Sequence, residues 1–231
     1  WPFSGNTVDE SSNGNDGINS GVDFGTDRFG NVGSAGLFDG NDYVLIENAI
    51  SQISAATVSG WYNSAAVQGA AFVQFGNDNP NSGCTGMAIG QGEGDFIGDG
   101  NNLQAAFNCN PGWIPGFFEL PSPGTWTHFA MVKSPGRLSL YINGMLVGYR
   151  VTGEPTFDLQ TIFFGASSTA LDYSFQGLLD DIYIYDRSLS HEEISELFSS
   201  NSGLTARITS NGNPTLSTGS LITLSANEGN Y

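Results

Sequence analysis

Short apolar runs with alternating polar positions recur along the chain, separated by Gly, Asn, Asp or Pro. This two-residue period is typical of half-buried β-strands. It predicts strands at residues 35–37, 43–46, 57–62, 71–75, 85–89, 103–107, 127–132, 138–142, 145–150, 161–164 and 178–185. Because no helical pattern separates these runs, the sequence predicts an antiparallel β-sandwich and excludes a parallel α/β fold.

Two local signals add to this pattern. Asn143 and Gly144 stand between two apolar runs. A type I′ turn needs two residues that accept positive φ, so this pair predicts a β-hairpin. Ser190 and Glu193 have the spacing of a capping box, which predicts a short C-terminal helix.

The last predicted strand, residues 178–185, carries two adjacent carboxylates. Strict alternation places Asp180 on the same face as Ile182 and Ile184, and Asp181 on the opposite face. A carboxylate in line with two core isoleucines is costly unless a proton, a partner or a metal neutralises it. The strand therefore marks Asp180 as a candidate site residue.

Composition narrows the function classes. Six Lys and Arg residues stand against 23 Asp and Glu residues, which gives a formal net charge of −17. Such a charge repels nucleic acid and anionic membranes, so binding to either is not expected. No apolar run reaches the roughly 18 residues of a membrane helix. Solubility accounts for most of the acidity, and only acids clustered in turns suggest a metal.

Several motifs occur in a fixed order along the chain. They are Trp1-Pro-Phe-Ser-Gly-Asn6, Asp9-Glu-Ser-Ser-Asn-Gly-Asn-Asp-Gly17, Asp27-Arg-Phe-Gly30, Ala35-Gly-Leu-Phe-Asp-Gly-Asn-Asp-Tyr43, Val58-Ser-Gly-Trp61, Trp126-Thr-His-Phe-Ala-Met-Val132, Leu138-Ser-Leu-Tyr-Ile-Asn-Gly144 and the stretch from Phe175 to Phe198. Together they resemble the laminin-G-like, concanavalin A-like domains of bacterial secreted proteins. The resemblance implies an all-β, antiparallel jelly-roll β-sandwich with one short C-terminal helix, over residues 1–202.

Residues 203–231 differ in composition from the rest of the chain. They are rich in Ser and Thr and contain strand-like runs at 205–215 and 220–226. They resemble the first two strands of an immunoglobulin-like repeat of large bacterial surface proteins. So short a segment cannot bury enough surface to fold alone. We therefore expect the chain to be a fragment of a longer, multidomain protein. The alternative is a simple β extension of the first domain.

Calcium is the expected cofactor. Asp9, Ser11 and Asn13 place oxygen atoms at alternate positions before Gly14, like the front half of a calcium loop. No Glu occupies the twelfth position, Ser20, so this is not an EF-hand. The resemblance implies a structural calcium at the sheet edge with an aspartate from the last long strand. The candidate ligands are Asp9, Asn13, Asp39, Asp180 and, as a substitute, Asp181. The alternatives are an ordinary Asx turn at the loop and, for Asp180, hydrogen bonds from backbone amides.

The sequence gives little support to catalysis. The segment from Glu93 through Asp95 to Gly98 matches only part of the Glu-x-Asp-x-x-Glu strand of related glucanases. Gly98 stands where the acid/base is needed, and retaining cleavage requires two carboxyls about 5–5.5 Å apart. His128 and His191 are too far apart in sequence to suggest zinc. We expect no enzymatic activity.

An aromatic cluster offers a binding surface. Trp113, Phe117 and Phe118 lie in a Pro- and Gly-rich connection, and exposed aromatic faces bind sugars and protein pockets alike. Asn79 and Asn81, in another loop, add polar groups. The alternative is a loop that packs its aromatic rings onto the edge of the sandwich.

These observations predict a non-catalytic extracellular recognition domain, secreted or on a bacterial cell surface, with structural calcium. Its expected partner is a glycan or polysaccharide, bound as part of an adhesin or a polysaccharide-degrading protein. Host or cell-surface proteins and further domains of the same chain are other expected partners. The alternative function is a structural or protein-binding spacer in a long surface protein.

Cys84 and Cys109 are the two cysteines, and they flank two predicted strands that can pair as a hairpin. We predict a disulfide between them, which places the protein in an oxidising compartment. The alternative is two unrelated buried thiols. The bridge closes a loop of about 25 residues, worth on the order of 3 kcal/mol in the chain-entropy model. Intact-mass analysis without reduction should find no alkylatable thiol, and two alkylatable thiols in the native protein would contradict the pairing.

Overall fold

The computed structural model describes residues 1–11, 13–66, 69–76, 87–92, 102–107, 114, 121–152 and 157–200. This part of the chain is almost entirely β-structure. Its strands are β1 (Ile18–Ser20), β2 (Asp23–Gly25), β3 (Ala35–Asp39), β4 (Tyr43–Ile53), β5 (Ala56–Ser64), β6 (Ala70–Phe75), β7 (Met87–Gly92), β8 (Asn102–Phe107), β9 (Thr127–Ser134), β10 (Arg137–Ile142), β11 (Met145–Val151), β12 (Phe157–Phe164) and β13 (Gln176–Tyr185), followed by helix α1 (His191–Ser200).

Within the described residues, the strands form two antiparallel sheets. One sheet has six strands in the order β1-β4-β12-β6-β7-β8, and the other has seven in the order β11-β10-β9-β5-β13-β3-β2. The predicted antiparallel β-sandwich with one short helix is confirmed. Each predicted strand overlaps an observed one, whereas β1 and β2 were missed because three residues are too few to show alternation.

The core lies between the two sheets and is rich in aromatic rings. Phe72 is fully buried. Its ring centroid lies 4.4 Å from that of Tyr62, 5.6 Å from Phe129 and 5.0 Å from Phe175. These contacts join both sheets, since β6 belongs to one and β5 and β9 to the other. Truncating a buried aromatic ring to Ala typically costs about 3–5 kcal/mol.

The predicted hairpin is confirmed between β10 and β11. Asn143 has φ 48° and Gly144 has φ 76°, as a type I′ turn requires. The Asn143 Oδ1 atom also accepts a 3.0 Å hydrogen bond from the His128 amide of the neighbouring strand β9. The turn is therefore tied to the sheet and does more than connect two strands.

The predicted capping box is also confirmed. The Ser190 amide donates to Glu193 Oε2 at 2.8 Å, and the Glu193 amide donates to Ser190 Oγ at 3.2 Å. Helix α1 then covers the outer face of the seven-stranded sheet. A second apolar cluster fills this contact and contains Ala130, Val132, Tyr141, Leu189 and Ile194.

A bulge in β13 corrects the predicted faces of its carboxylates. Asp180 lies opposite Trp61 of β5, whereas Tyr183 lies opposite Ser59, so the register shifts between them. Trp61 and Ser59 are two residues apart and share a face, so Asp180 and Tyr183 do too. Asp181, with φ 45°, is the extra residue. The prediction that Asp180 shares a face with the core isoleucines is therefore wrong.

In the described part of the chain, no helix has the length and apolar character needed to cross a membrane.

Candidate functional site

An arginine from a loop neutralises the two carboxylates of the β13 bulge. One guanidinium nitrogen of Arg28 bonds to Asp180 Oδ2, and the other bonds to Asp181 Oδ2 at 2.5 Å. The side chains of Arg28 and Asp180 are 5% and 4% exposed, so this ion pair is buried. The guanidinium carbon also lies 4.8 Å from the ring centroid of Trp61 and 4.3 Å from that of Phe29. The sequence left three ways to neutralise Asp180: a proton, a partner or a metal. The structure provides a charged partner, Arg28.

Hydrogen bonds within the loop between β2 and β3 position Arg28. Asp27 Oδ1 accepts 2.8 Å hydrogen bonds from the amides of Phe29 and Asn31, and its Oδ2 accepts one from the Asn31 side chain. Burial raises the pKa of Asp27, but these hydrogen bonds outweigh it and leave the pKa below its ordinary value. The charged Asp27 holds the turn that presents its neighbour.

Burial controls the titration of the groups around Arg28. Burial and the Asp181 carboxylate raise the pKa of Asp180 to about 7, while Arg28 opposes the rise. On the same outer sheet face, burial and the Arg28 charge lower the pKa of His128 to about 3. His128 is therefore neutral near pH 7, and its Nε2 atom lies 2.9 Å from Ser59 Oγ. It is a packed residue of the sheet face.

Sequence reasoning missed the role of Arg28, although the residue stands in the quoted Asp27-Arg-Phe-Gly30 motif. The available signal was its rarity, since the whole chain has only six Lys and Arg residues against 23 acids. One of so few cations in so acidic a chain is a natural partner for a carboxylate within a sheet.

The N-terminal calcium candidates form a tight polar turn. The Asp9 carboxylate accepts 2.9 Å hydrogen bonds from the amides of Ser11 and Asn15, and the Asp9 amide donates to Asp16 Oδ1. Burial raises the pKa of Asp9, but the bonds from Ser11 and Asn15 leave it below its ordinary value. Asn13 is exposed beside this turn. The loop has the Asx-turn geometry that was the alternative to a metal loop.

The predicted calcium ligands do not come together as one site. Asp39 lies opposite Gln176, four residues along β13 from Asp180, which is about 13 Å at strand spacing. One ion with ligands at about 2.3–2.6 Å cannot bind both. The carboxylates of Asp180 and Asp181 are already bonded to the guanidinium group of Arg28. No group of three or more His, Cys, Asp or Glu residues in the described ranges is arranged to hold a metal. As arranged, these residues do not fit a shared calcium ion.

The other predicted sites lie outside the described residues. They are the binding residues Trp113, Phe117, Phe118, Asn79 and Asn81, the cysteines Cys84 and Cys109, the segment from Glu93 to Gly98, and the tail 203–231. One neighbour is described: Ile114 forms a bridge with Ala105 of β8, and its amide donates to the Ala105 carbonyl at 2.9 Å. Ile114 therefore borders the six-stranded sheet at β8.

The face of that sheet turned away from the core carries a row of aligned side chains. Leu45, Phe163, Gln74 and Ala88 lie opposite one another on β4, β12, β6 and β7. The ring of Phe163 packs edge-on against Tyr43 at a centroid distance of 5.8 Å. Sequence analysis did not single out this row, because which face of a strand is turned away from the core depends on the sheet order.

Gln74 is the one polar member of this row. It is 3% exposed, and its Nε2 atom donates to the Phe75 carbonyl at 3.1 Å. Its Oε1 atom is buried without a hydrogen-bond partner among the described residues. Leaving such an acceptor unsatisfied costs about 1–3 kcal/mol.

A separate cleft of about 810 Å³ lies beside the N-terminal turn. One wall is residues 182–186 at the end of β13, and the other is formed by residues 9–11, 13 and 15. Trp1 and Pro2 close one end, and Ile162 of the other sheet contributes to the lining. The size is that of a ligand site, roughly 300–1,000 Å³.

Comparison with known proteins identifies the family. The family model of the concanavalin A-like lectin/glucanases superfamily, of the laminin-G type, matches residues 38–195. The chain belongs to this superfamily, as the motifs had suggested. No curated protein sequence matches the chain.

Solved structures share the fold at low sequence identity. Domain 4 of AbnA, a GH43 extracellular arabinanase from Geobacillus stearothermophilus in complex with arabinotriose, matches with TM-score 0.64 and 21% identity, over 83% of this chain and 92% of that one. A heptameric SAP-like pentraxin from Limulus polyphemus matches with TM-score 0.54 and 16% identity, over 78% and 82%. The receptor binding domain of botulinum neurotoxin C/D mosaic serotype matches with TM-score 0.60 and 16% identity, over 84% of this chain and 48% of that one. The chain thus spans about half of the neurotoxin domain.

The Arg28 ion pair predicts a large and pH-dependent loss of stability in Arg28→Met. The buried carboxylate of Asp180 and the half-buried one of Asp181 would lose their partner, and breaking a buried pair typically costs about 3–5 kcal/mol. Without Arg28 the pKa of Asp180 rises further, so protonation relieves part of the cost at acid pH. The loss in free energy of unfolding, measured in urea, should therefore be larger at pH 8 than at pH 5.

Two variants test the cause of this loss. Adding Asp180→Asn to Arg28→Met should recover part of the stability, because it removes one uncompensated charge. Arg187→Met breaks the exposed pair with Glu193, whose side chains are 55% and 38% exposed, and should change stability little. Equal effects of Arg28→Met and Arg187→Met would show that the buried pair is not important.

Proposed function

We propose that the chain is a non-catalytic carbohydrate-recognition domain of a secreted or cell-surface protein. The glycan site is the outer face of the six-stranded sheet together with the connection that carries Trp113, Phe117 and Phe118. Asn79 and Asn81 are proposed to add polar contacts. Gln74 on that face supports this proposal most directly.

Gln74 supports a sugar ligand because of its chemistry and its neighbours. Its unpartnered Oε1 atom is an acceptor, and sugar hydroxyls are donors. Phe163, which is 7% exposed, lies opposite it on β12 and packs against the half-buried Tyr43, so aromatic side chains lie beside the amide. Aromatic surface with a small number of placed polar groups is typical of small-ligand sites.

Two further observations agree with this function. The arabinanase domain that shares the fold is in complex with arabinotriose. The bridge from Ile114 to Ala105 places Ile114, the neighbour of Trp113 in sequence, at the border of the same sheet. Fold alone does not fix function, so the proposal rests on the face and its loop. We propose a non-catalytic domain because Gly98 stands where the glucanase strand has its acid/base.

Binding at such a face is expected to be weak, with dissociation constants near 10⁻⁴ M, about −5 to −6 kcal/mol. Trp113→Ala should weaken binding on a glycan array and in titration calorimetry while leaving the melting temperature nearly unchanged. Gln74→Met should also weaken binding. Because it removes a buried unsatisfied acceptor, it should keep or raise the melting temperature.

Tyr149→Ala is the matched control, since Tyr149 is a 57% exposed aromatic residue on the other sheet. It should leave glycan binding unchanged. A wild-type protein that binds no glycan on the array would overturn the function and favour the spacer alternative. Unfolding of Trp113→Ala would instead identify that ring as part of the core.

Structural calcium remains a separate proposal, centred on the turn of Asp9 and Asn13 and resting on its sequence. Binding to the native state alone would stabilise it by about 2.7 kcal/mol at a hundredfold excess over Kd. Chelation should then lower the melting temperature by several degrees, and Asp9→Ala should remove the difference between calcium and chelator. Asp180→Ala is a poor reporter, because it also disturbs Arg28. A melting temperature that changes with neither calcium nor chelator would exclude the site.

A further inference from the structure

The basic residues of the chain are unevenly distributed between the two sheets. Five of the six Lys and Arg residues lie in strands of the seven-stranded sheet or in segments that adjoin these strands: Arg28, Lys133, Arg137, Arg150 and Arg187. The sixth, Arg207, lies outside the described residues. By sequence, none of the strands that form the six-stranded sheet contains Lys or Arg.

The segment between Arg28 and Lys133 has a single sign of charge. It supplies β4, β6, β7 and β8 of the six-stranded sheet and the connections that join the last three of these strands. Its charged side chains are all acidic: Asp39, Asp42, Glu47, Asp78, Glu93, Asp95, Asp99 and Glu119. Strand β12 of the same sheet adds one more acid, Asp158. The proposed glycan face therefore belongs to the part of the chain in which negative charge is not offset by nearby sequence.

The cations of the seven-stranded sheet do little to change the potential at the other sheet. Packed sheets lie about 10 Å apart, whereas the Debye length at physiological ionic strength is about 8 Å. Two of these cations are also paired with carboxylates. Arg28 bonds to Asp180 and Asp181, and Arg187 bonds to Glu193 at 2.7 Å. An anion at the six-stranded sheet would therefore be repelled by the acids there without a compensating attraction.

The side chains beside Gln74 are uncharged. In the aligned row on the outer face, Phe163 of β12 and Ala88 of β7 lie opposite Gln74 on either side. An ionised group placed against apolar side chains loses hydration, which is costly unless it gains a charged partner. This cost applies to a cationic sugar as well as to an anionic one.

Glu47 shares this face but lies too far from Gln74 to be such a partner. It is exposed, and it lies opposite Thr161 of β12, one step along the strands from the pair of Leu45 and Phe163. Two strand spacings and one such step separate Glu47 from Gln74 by about 12 Å. A carboxylate at that distance cannot hold an ammonium group that lies beside the Gln74 amide.

We infer that the proposed glycan site selects neutral oligosaccharides, whose units carry hydroxyl groups but no uronate, sulfate, phosphate or ammonium group. This selectivity rests on the proposed function and adds the substrate class to it. Hydroxyl groups supply the donor that the Gln74 Oε1 atom lacks among the described residues. An anionic unit is disfavoured by the acidic surroundings, and either kind of ion is disfavoured by the uncharged row around Gln74.

The test uses the 231-residue protein and a glycan array of matched sets. Each set holds a neutral oligosaccharide, its uronate and sulfated derivatives, and an amino-sugar oligomer of the same length. We expect the bound glycans to be neutral, and the charged members of each bound set to bind at least about tenfold more weakly. In titration calorimetry, the Kd of the bound neutral member should change less than about twofold between about 0.05 M and 0.5 M NaCl, because no ion pair is screened.

Two variants with the same change in net charge locate the origin of the selectivity. Glu47→Lys places a cation on the outer face of the six-stranded sheet. It should reduce the preference for the neutral member over its uronate derivative several-fold. Glu196→Lys is the matched control, because Glu196 is an exposed acid on α1, which covers the other sheet. It should leave the preference nearly unchanged.

The outcomes separate the selectivity from the proposed function. Stronger binding of a uronate, sulfated or amino-sugar member by the wild-type protein would overturn the selectivity and leave glycan recognition in place. Equal effects of Glu47→Lys and Glu196→Lys would also overturn it, because net charge and not this face would then set the preference. A wild-type protein that binds no member of any set would overturn the proposed function itself.

Discussion

The seven-stranded sheet depends on the contact of Arg28 with Asp180 and Asp181. Two adjacent carboxylates at a bulge cannot both be buried as charges without a cation nearby. Arg28 supplies that cation and also covers the ring of Trp61. The ion pair joins the loop between β2 and β3 to the central region of the sheet, 152 residues away in sequence. In a chain with a net charge of −17, this single cation has a large structural effect.

The same bulge divides β13 into two parts. Asp181 is the extra residue, and it separates the part of β13 that pairs with β3 from the part that meets Trp1. Both parts pair with β5, so the strand continues in the same sheet across the bulge.

The two sheets differ in the chemistry of their outer faces. The six-stranded sheet carries the largely buried Phe163 and one unsatisfied amide, Gln74, on which the glycan proposal rests. The seven-stranded sheet carries the Arg28 ion pair and the apolar contact with helix α1.

Local sequence determined much of this protein. Alternation gave the long strands, Asn143 and Gly144 the hairpin, and the Ser190 capping box the helix, because each depends on neighbouring residues only. The partner of Asp180 and its face on the sheet were decided by tertiary structure. A bulge shifts the alternation by one residue, which a strictly periodic pattern does not show. The pairing with Arg28 required two segments far apart in sequence to meet, and no local pattern contains that contact.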